Sequence, residues 1–231
     1  SIFSTRPCPI CHGHMACYLH RMHFALAETS PLPSDYDLLI CLCCGSGYAD
    51  LDVRAERYDE YYRAFSKYED AAVATGGGDE PADRQRIEEL AEFLAAQVPT
   101  DARVLDGGCG NGGLLSALRQ RGFTHLTGFD PAAACTTRIL AQGLAACSVS
   151  LPLNDPAAIA GHEGPFDLIV LSHVLEHLFD AQAVVASLLP LLATGGLLYI
   201  ETPDASRYRT EGFPPLYFFD TEHINHFSAK S

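Results

Sequence analysis

The stretch that most constrains the fold is Val104-Leu105-Asp106-Gly107-Gly108-Cys109-Gly110-Asn111-Gly112-Gly113, where an apolar run breaks into closely spaced glycines. Leu114, Leu115, Ala117 and Leu118 then resume at helical spacing, and Gly122 stops them. The pattern predicts strand, tight turn, helix. Glycines suit a turn where a ligand meets bare backbone and where some φ angles are positive. The next apolar segment, Leu126 to Phe129, ends in Asp130, so an acid is expected at the tip of each of two successive strands. An acid on the second of them is placed to grip the ribose hydroxyls of a bound nucleoside.

Two nucleotide classes fit such a loop. Gly108, Gly110 and Gly113 match the G-x-G-x-x-G spacing that aims a helix N-terminus at a pyrophosphate. Asp106 argues for the other class, because a carboxylate beside the loop repels a pyrophosphate and suits the cationic amino acid part of S-adenosylmethionine. A glycine turn with a purely structural role is the third reading.

Strands and helices alternate around the loop. After Pro81, residues Ile87, Leu90, Ala91, Leu94 and Val98 repeat at helical spacing, and Pro131 to Leu140 reads as a second helix. Ala145 to Leu151 is a weak third strand, followed by Asn154, where a polar side chain can meet an adenine edge. Phe166 to Leu171 is a continuous apolar run suited to a buried parallel strand. A helix runs from near Asp180 to about Leu192, and Gly195-Gly196 introduces a fifth strand, Leu197 to Ile200. The expected fold class is α/β: a doubly wound, mostly parallel, Rossmann-like sheet with its ligand at the carboxyl ends of the strands, where Asp106, Asp130, Asn154 and Ser172 fall.

Ahead of this lies a different kind of segment. Cys8-Pro9-Ile10-Cys11 and Cys41-Leu42-Cys43-Cys44 are two C-x-x-C knuckles with 29 residues between them. Each knuckle aims two thiolates at one ion, and two knuckles complete the tetrahedron of a closed structural zinc site. The expected ligands are Cys8, Cys11, Cys41 and Cys44, with Cys43 as the substitute. A module this small needs the metal for its folding energy. The expected division is 1–52 zinc-binding module, 53–80 Tyr-rich helix and linker, and 81–231 ligand-binding domain. In the middle segment Tyr58, Tyr61 or Tyr62, Phe65 and Tyr68 share one helix face, fit either for packing or for a lid.

A formal charge of −14 speaks against an extended nucleic-acid footprint. No apolar stretch approaches the ~20 residues of a membrane span, and no charged-then-apolar leader opens the chain. A cytoplasmic protein is expected.

Taken in order, Leu105-Asp106-Gly107-Gly108-Cys109-Gly110-Asn111-Gly112, Gly128-Phe129-Asp130-Pro131, Phe166-Asp167-Leu168-Ile169-Val170, Ser172-His173-Val174-Leu175-Glu176-His177-Leu178 and Gly195-Gly196 resemble the class I S-adenosylmethionine-dependent methyltransferases over about residues 84 to 204. The resemblance implies that the loop with Asp106, Gly108 and Gly110 passes under the methionine part and that Asp130 and Pro131 stand at the ribose. It also implies that Asn154 flanks adenine and that Ser172 and His173 line the cofactor pocket. The knuckles ahead and Asp220-Thr221-Glu222-His223-Ile224-Asn225-His226-Phe227-Ser228 behind are similar to bacterial sugar C-methyltransferases that carry a zinc module and act on nucleotide-linked keto-deoxysugars. Glu222, His223, Phe227 and Ser228 match that subfamily's Tyr-x-Glu-His and Phe-Ser segments, while Asp220 stands where its tyrosine would be. Members of the class continue past this point with a helix and an antiparallel strand pair, so the domain is expected to be incomplete at its C-terminus.

The resemblance implies methyl transfer from S-adenosylmethionine to a small-molecule acceptor, most closely a nucleotide-linked sugar, on carbon or oxygen. An acceptor carbon beside a carbonyl must lose a proton, work suited to an imidazole. His223 is the expected general base, Glu222 its neighbour in the site, and His226, one helical turn on, the reserve. Arg207 and Arg209 are candidates for a diphosphate. An RNA methyltransferase whose zinc module grips RNA, and a non-catalytic cofactor-binding or interaction module, are the alternatives.

Overall fold

The computed structural model describes residues 1–69, 77, 80–159, 164–210 and 218–229. The chain forms two compact units. One gathers Ser1–Tyr61, His173–Val185 and Glu201–Ser231, and the other Tyr62–Ser172 and Ala186–Ile200.

The second unit contains the glycine stretch. Its sheet comprises β5 (Arg103–Gly107), β6 (His125–Asp130), β7 (Ala145–Ser148), β8 (Phe166–Ser172) and β9 (Leu192–Glu201, whose last residue belongs to the first unit), in the order β7-β6-β5-β8-β9. β5 runs parallel to β6 and β8, and β6 parallel to β7. This is the doubly wound arrangement: the chain moves outward from β5 in one direction, then returns to build on its other side, leaving a crevice at the carboxyl ends. The helices are α2 (Pro81–Ala95), α3 (Gly113–Gln120), α4 (Ala133–Ala141) and α5 (Ala181–Leu188), the last divided between the units. Ile87, Leu90, Ala91 and Leu94 of α2 are buried with Val104, Leu115, Leu118, Ile139, Leu168 and Val170 in one core. Removing such a Leu side chain costs about 2–5 kcal/mol.

The fifth strand differs from its expected start. Gly195-Gly196 lies inside β9 rather than ahead of it. Gly195 has φ 81°, and a Cβ on Gly196 would come within 3.0 Å of the Phe166 carbonyl oxygen, so two small residues let the strand run on past a close neighbouring backbone.

The first unit has its own antiparallel sheet: β1 (Ile2–Phe3), β2 (Met15–His23), β3 (Asp35–Cys41), β4 (Gly47–Asp50) and β10 (Asn225–His226), in the order β1-β2-β3-β4-β10. Cys8, Ala16, Leu39, Cys41 and Tyr48 are its core. The last strand comes from the far end of the sequence: Asn225 stands opposite Tyr48 and His226 opposite Gly47. Arg6 fastens these pieces together. Its guanidinium is buried and donates to the Ala49 carbonyl, the Phe179 carbonyl and Asn225 Oδ1, and it lies 4.7 Å from the Phe179 ring centre. Burial lowers its pKa to about 10. Among the described residues no helix is long and apolar enough to cross a membrane.

Candidate active site and metal centre

At the carboxyl ends of β5 and β6, Asp106 and Asp130 are 4% and 5% exposed. The turn after β5 closes onto β6: the Gly108 and Cys109 amides donate to the Phe129 carbonyl, and the Gly110 amide donates to Asp130 Oδ2 at 3.0 Å. Gly108, Gly110 and Gly112 have φ angles of 67°, 50° and 78°, which L side chains rarely adopt, and Gly112 leads directly into α3. Asp130 Oδ1 accepts from the Ala132 amide, so this carboxylate ties the loop to the start of α4, with Pro131 between. Burial, then repulsion from Asp130, raises the Asp106 pKa to about 7, with Arg86 opposing the rise.

Arg86 of α2 donates through Nη1 to Ser172 Oγ at 3.1 Å at the end of β8. No sequence signal marks it, since it is one arginine on an amphipathic helix. Asn154 is exposed beyond β7, in a segment whose Leu153 amide donates to Ser187 Oγ. The structure therefore brings Asp106, Gly108, Gly110, Asp130 and Pro131 together at one loop, with Ser172 anchored by Arg86.

In the first unit, the Sγ atoms of Cys8 and Cys44 are 3.6 Å apart and those of Cys11 and Cys41 are 3.5 Å apart, and the four sulfurs form one cluster. Zn–S bonds of about 2.3 Å in a tetrahedron place sulfurs about 3.8 Å apart, so this donor set fits zinc with only a small adjustment. Cys43 is exposed and outside the cluster.

The segment from Asp220 to Ile224 is held at every residue. Tyr36 and Tyr58 donate through their hydroxyls to the carbonyls of Asp220 and Thr221, both at 2.9 Å. Tyr58 and Tyr61 lie on α1 (Ala55–Ala64), and the Tyr61 hydroxyl donates to Glu222 Oε1 at 2.8 Å. Asp220 Oδ1 accepts from the amides of Glu222 and His223, its Oδ2 lies 3.8 Å from His223 Nδ1, and the Ile224 amide donates to the Glu176 carbonyl. The His223 ring meets the His177 ring edge-on at 4.8 Å between centres, and His177 Nδ1 lies 3.1 Å from the Glu222 carbonyl. Burial holds the His177 pKa below its ordinary value.

His226 differs from its expected place. It lies on β10, not on a helix with His223, and it is 4% exposed, with Nδ1 3.1 Å from the Tyr208 hydroxyl. Burial pushes its pKa down to about 3, which makes it a weak base. His173 has the uncommon φ of 56° and pairs through Nδ1 with Glu176 at 3.2 Å and through Nε2 with Glu201 at 3.7 Å. Its hydrogen bonds to Glu176 and then Glu201 raise its pKa to about 9, so it is an imidazolium at neutral pH. Burial alone would raise the Glu176 pKa, but its His173 contact and the His177 charge hold it below the usual value. Arg207 and Arg209 are exposed.

A methyltransferase domain family model matches residues 82–231, more than half of the chain. The chain belongs to the methyltransferase domain family. The domain is similar to the ubiquinone biosynthesis O-methyltransferase of Xylella fastidiosa (strain 9a5c), 30% identical over 155 residues, 64% of this chain and 62% of that protein. Its namesake from Escherichia coli (strain K12 / DH10B) is 31% identical over 103 residues, 43% of this chain and 42% of that one. The chain thus spans less than two thirds of the length of these relatives. Among solved structures, S-adenosylmethionine-bound CalS10, an amino pentose methyltransferase from Micromonospora echinaspora, aligns with TM-score 0.45 and 28% identity over 60% of this chain and 57% of that one. Coclaurine N-methyltransferase bound to N-methylheliamine and SAH aligns with TM-score 0.49 and 14% identity over 77% and 54%.

Proposed function

We propose that this methyltransferase domain binds S-adenosylmethionine at the β5–β6 loop and transfers its methyl group to a small-molecule acceptor, a nucleotide-linked sugar by the resemblance of the knuckles and the Glu222-His223 segment. The observation that carries the reading is the pair of buried carboxyls, Asp106 and Asp130, on either side of a glycine turn at the carboxyl ends of adjacent parallel strands. Asp106 suits the cationic amino acid part of the cofactor and disfavours a pyrophosphate, while Asp130 is placed for the ribose hydroxyls. Methyl transfer from a sulfonium is an in-line displacement, so the protein's work is to align acceptor and methyl and to take up the acceptor's proton. Glu222 and His223 are the proton-handling groups: their backbone is pinned, His223 is only half-buried, and Glu222 is oriented by the Tyr61 hydroxyl. The four cysteines hold structural zinc.

Calorimetry with S-adenosylhomocysteine tests the cofactor site. Binding to the full chain is expected, and Asp130→Ala is expected to weaken it by about 10-fold or more, the worth of a charge-assisted hydrogen bond. No binding by intact protein overturns the reading. With a panel of nucleotide-linked keto-sugars, His223→Ala is expected to lower kcat by about 100-fold or more while leaving S-adenosylhomocysteine affinity unchanged.

A further inference from the structure

The first unit gathers a second set of metal-ligating side chains, chemically unlike the thiols. Glu176, His177 and His223 each present one ligand atom within 4.8 Å of the others. We propose that these three residues bind a divalent transition cation such as Zn2+, Co2+ or Mn2+, at a site separate from the four cysteines.

The donor set is the first reason. Two imidazoles and one carboxylate suit borderline divalent cations, and three protein ligands leave coordination positions open. Glu176 is the second. Its carboxylate is 1% exposed, and Oε1 is paired with His173 Nδ1 at 3.2 Å. That single contact leaves most of the carboxylate's lone pairs unused in a site out of water, and a coordinated cation takes them up.

The outer shell is the third. A ligating histidine usually donates its other N–H to a carbonyl or carboxylate, which fixes the ring and places the lone pair on the metal side. His177 meets this through Nδ1 and the Glu222 carbonyl at 3.1 Å, which puts its lone pair on Nε2. His223 has the Asp220 carboxylate on its Nδ1 side at 3.8 Å, and Asp220 is itself held by two amides of the same turn. The His223 side chain is 29% exposed, so an ion has a way in.

The binding claim stands apart from the methyltransferase reading, and its chemical use rests on that reading. With the cation bound, His223 serves as a ligand instead of a base: the cation would coordinate an acceptor oxygen and lower its pKa, and Glu222, outside the ligand set, would take the proton.

The test is cobalt titration of the full chain with its cysteine cluster already loaded with zinc, followed by visible absorption. Uptake of a further equivalent with the weak bands of nitrogen and oxygen ligation is expected, without the intense sulfur-to-cobalt charge-transfer band that cobalt on cysteine gives. His223→Ala and His177→Asn are each expected to abolish that uptake, with unchanged far-ultraviolet circular dichroism. His223→Ala, at a half-buried ring, keeps the test decisive if the other variant does not fold. No further cobalt, cobalt showing the sulfur band, or equal uptake by wild type and His223→Ala overturns the site. S-adenosylhomocysteine binding measured on the same samples reports the cofactor loop separately, so failure of the cation site and failure of the methyltransferase reading are told apart.

Discussion

Asp106 is the residue at which pH acts on the glycine loop proposed to bind the cofactor. Burial and the neighbouring Asp130 raise its folded pKa to about 7, well above the ordinary carboxylate value. Between those two values the folded chain holds more protons than the unfolded one, so this group's contribution to stability falls as pH rises toward and through 7. A bound ammonium favours the ionised form, so cofactor binding at about pH 6 should release a proton. Calorimetry with S-adenosylhomocysteine in two buffers of different ionisation enthalpy should therefore give different apparent enthalpies, and Asp106→Asn should remove the difference. His173 acts in a higher window. Its folded pKa of about 9 lies above the ordinary imidazole value, so its contribution is complete below about pH 6.5 and is lost as pH rises through 9. Thermal melts across that window should fall more steeply for wild type than for His173→Asn. The acid at each strand tip was legible in sequence, because a polar residue ends each apolar run. The His173 pairing was not, since Glu201 lies 28 residues further along the chain.

At the scale of elements, two residues of β10 decide how the first unit closes. Asn225 donates through Nδ2 to the carbonyls of Leu175 and Leu178 and accepts from Arg6 through Oδ1. Asn225→Ala leaves a buried guanidinium short of an acceptor and two carbonyls short of a donor, at a cost of about 1–3 kcal/mol for each buried group left unpaired. Urea denaturation should show that loss, whereas Asn154→Ala, at an exposed position, should leave the midpoint unchanged. The helices and parallel strands of the second unit follow from local pattern: 3.6-residue periodicity in α2 and α3, continuous apolar runs in β8. β10 has no such pattern. A two-residue strand carries no periodicity, and spacing from His223 suggested a helical turn where the chain is extended.

For the whole molecule, the four cysteines and the distant ends of the chain meet in one unit. The described residues of 1–61 and 201–229 belong to it together, and Cys8 and Cys41 lie in its core. On the proposal that these cysteines hold structural zinc, a chelator should melt the antiparallel sheet and disturb the Asp220–Ile224 segment as well, because a structural metal supplies folding energy directly. Circular dichroism with and without chelator, and a readout of the His223 environment by NMR, would check both effects together; an unchanged His223 signal in a melted sheet would contradict the coupling. The sequence by itself determined the doubly wound sheet, the glycine loop between two acids and the two cysteine knuckles, since each is written in residues close enough along the chain to act through local backbone preference and spacing. Only the tertiary structure decided that Arg86 meets Ser172, that His226 is buried and weakly basic, and that Glu176, His177 and His223 converge. These depend on contacts between residues far apart in sequence and on how much water each is left, and no local pattern encodes either.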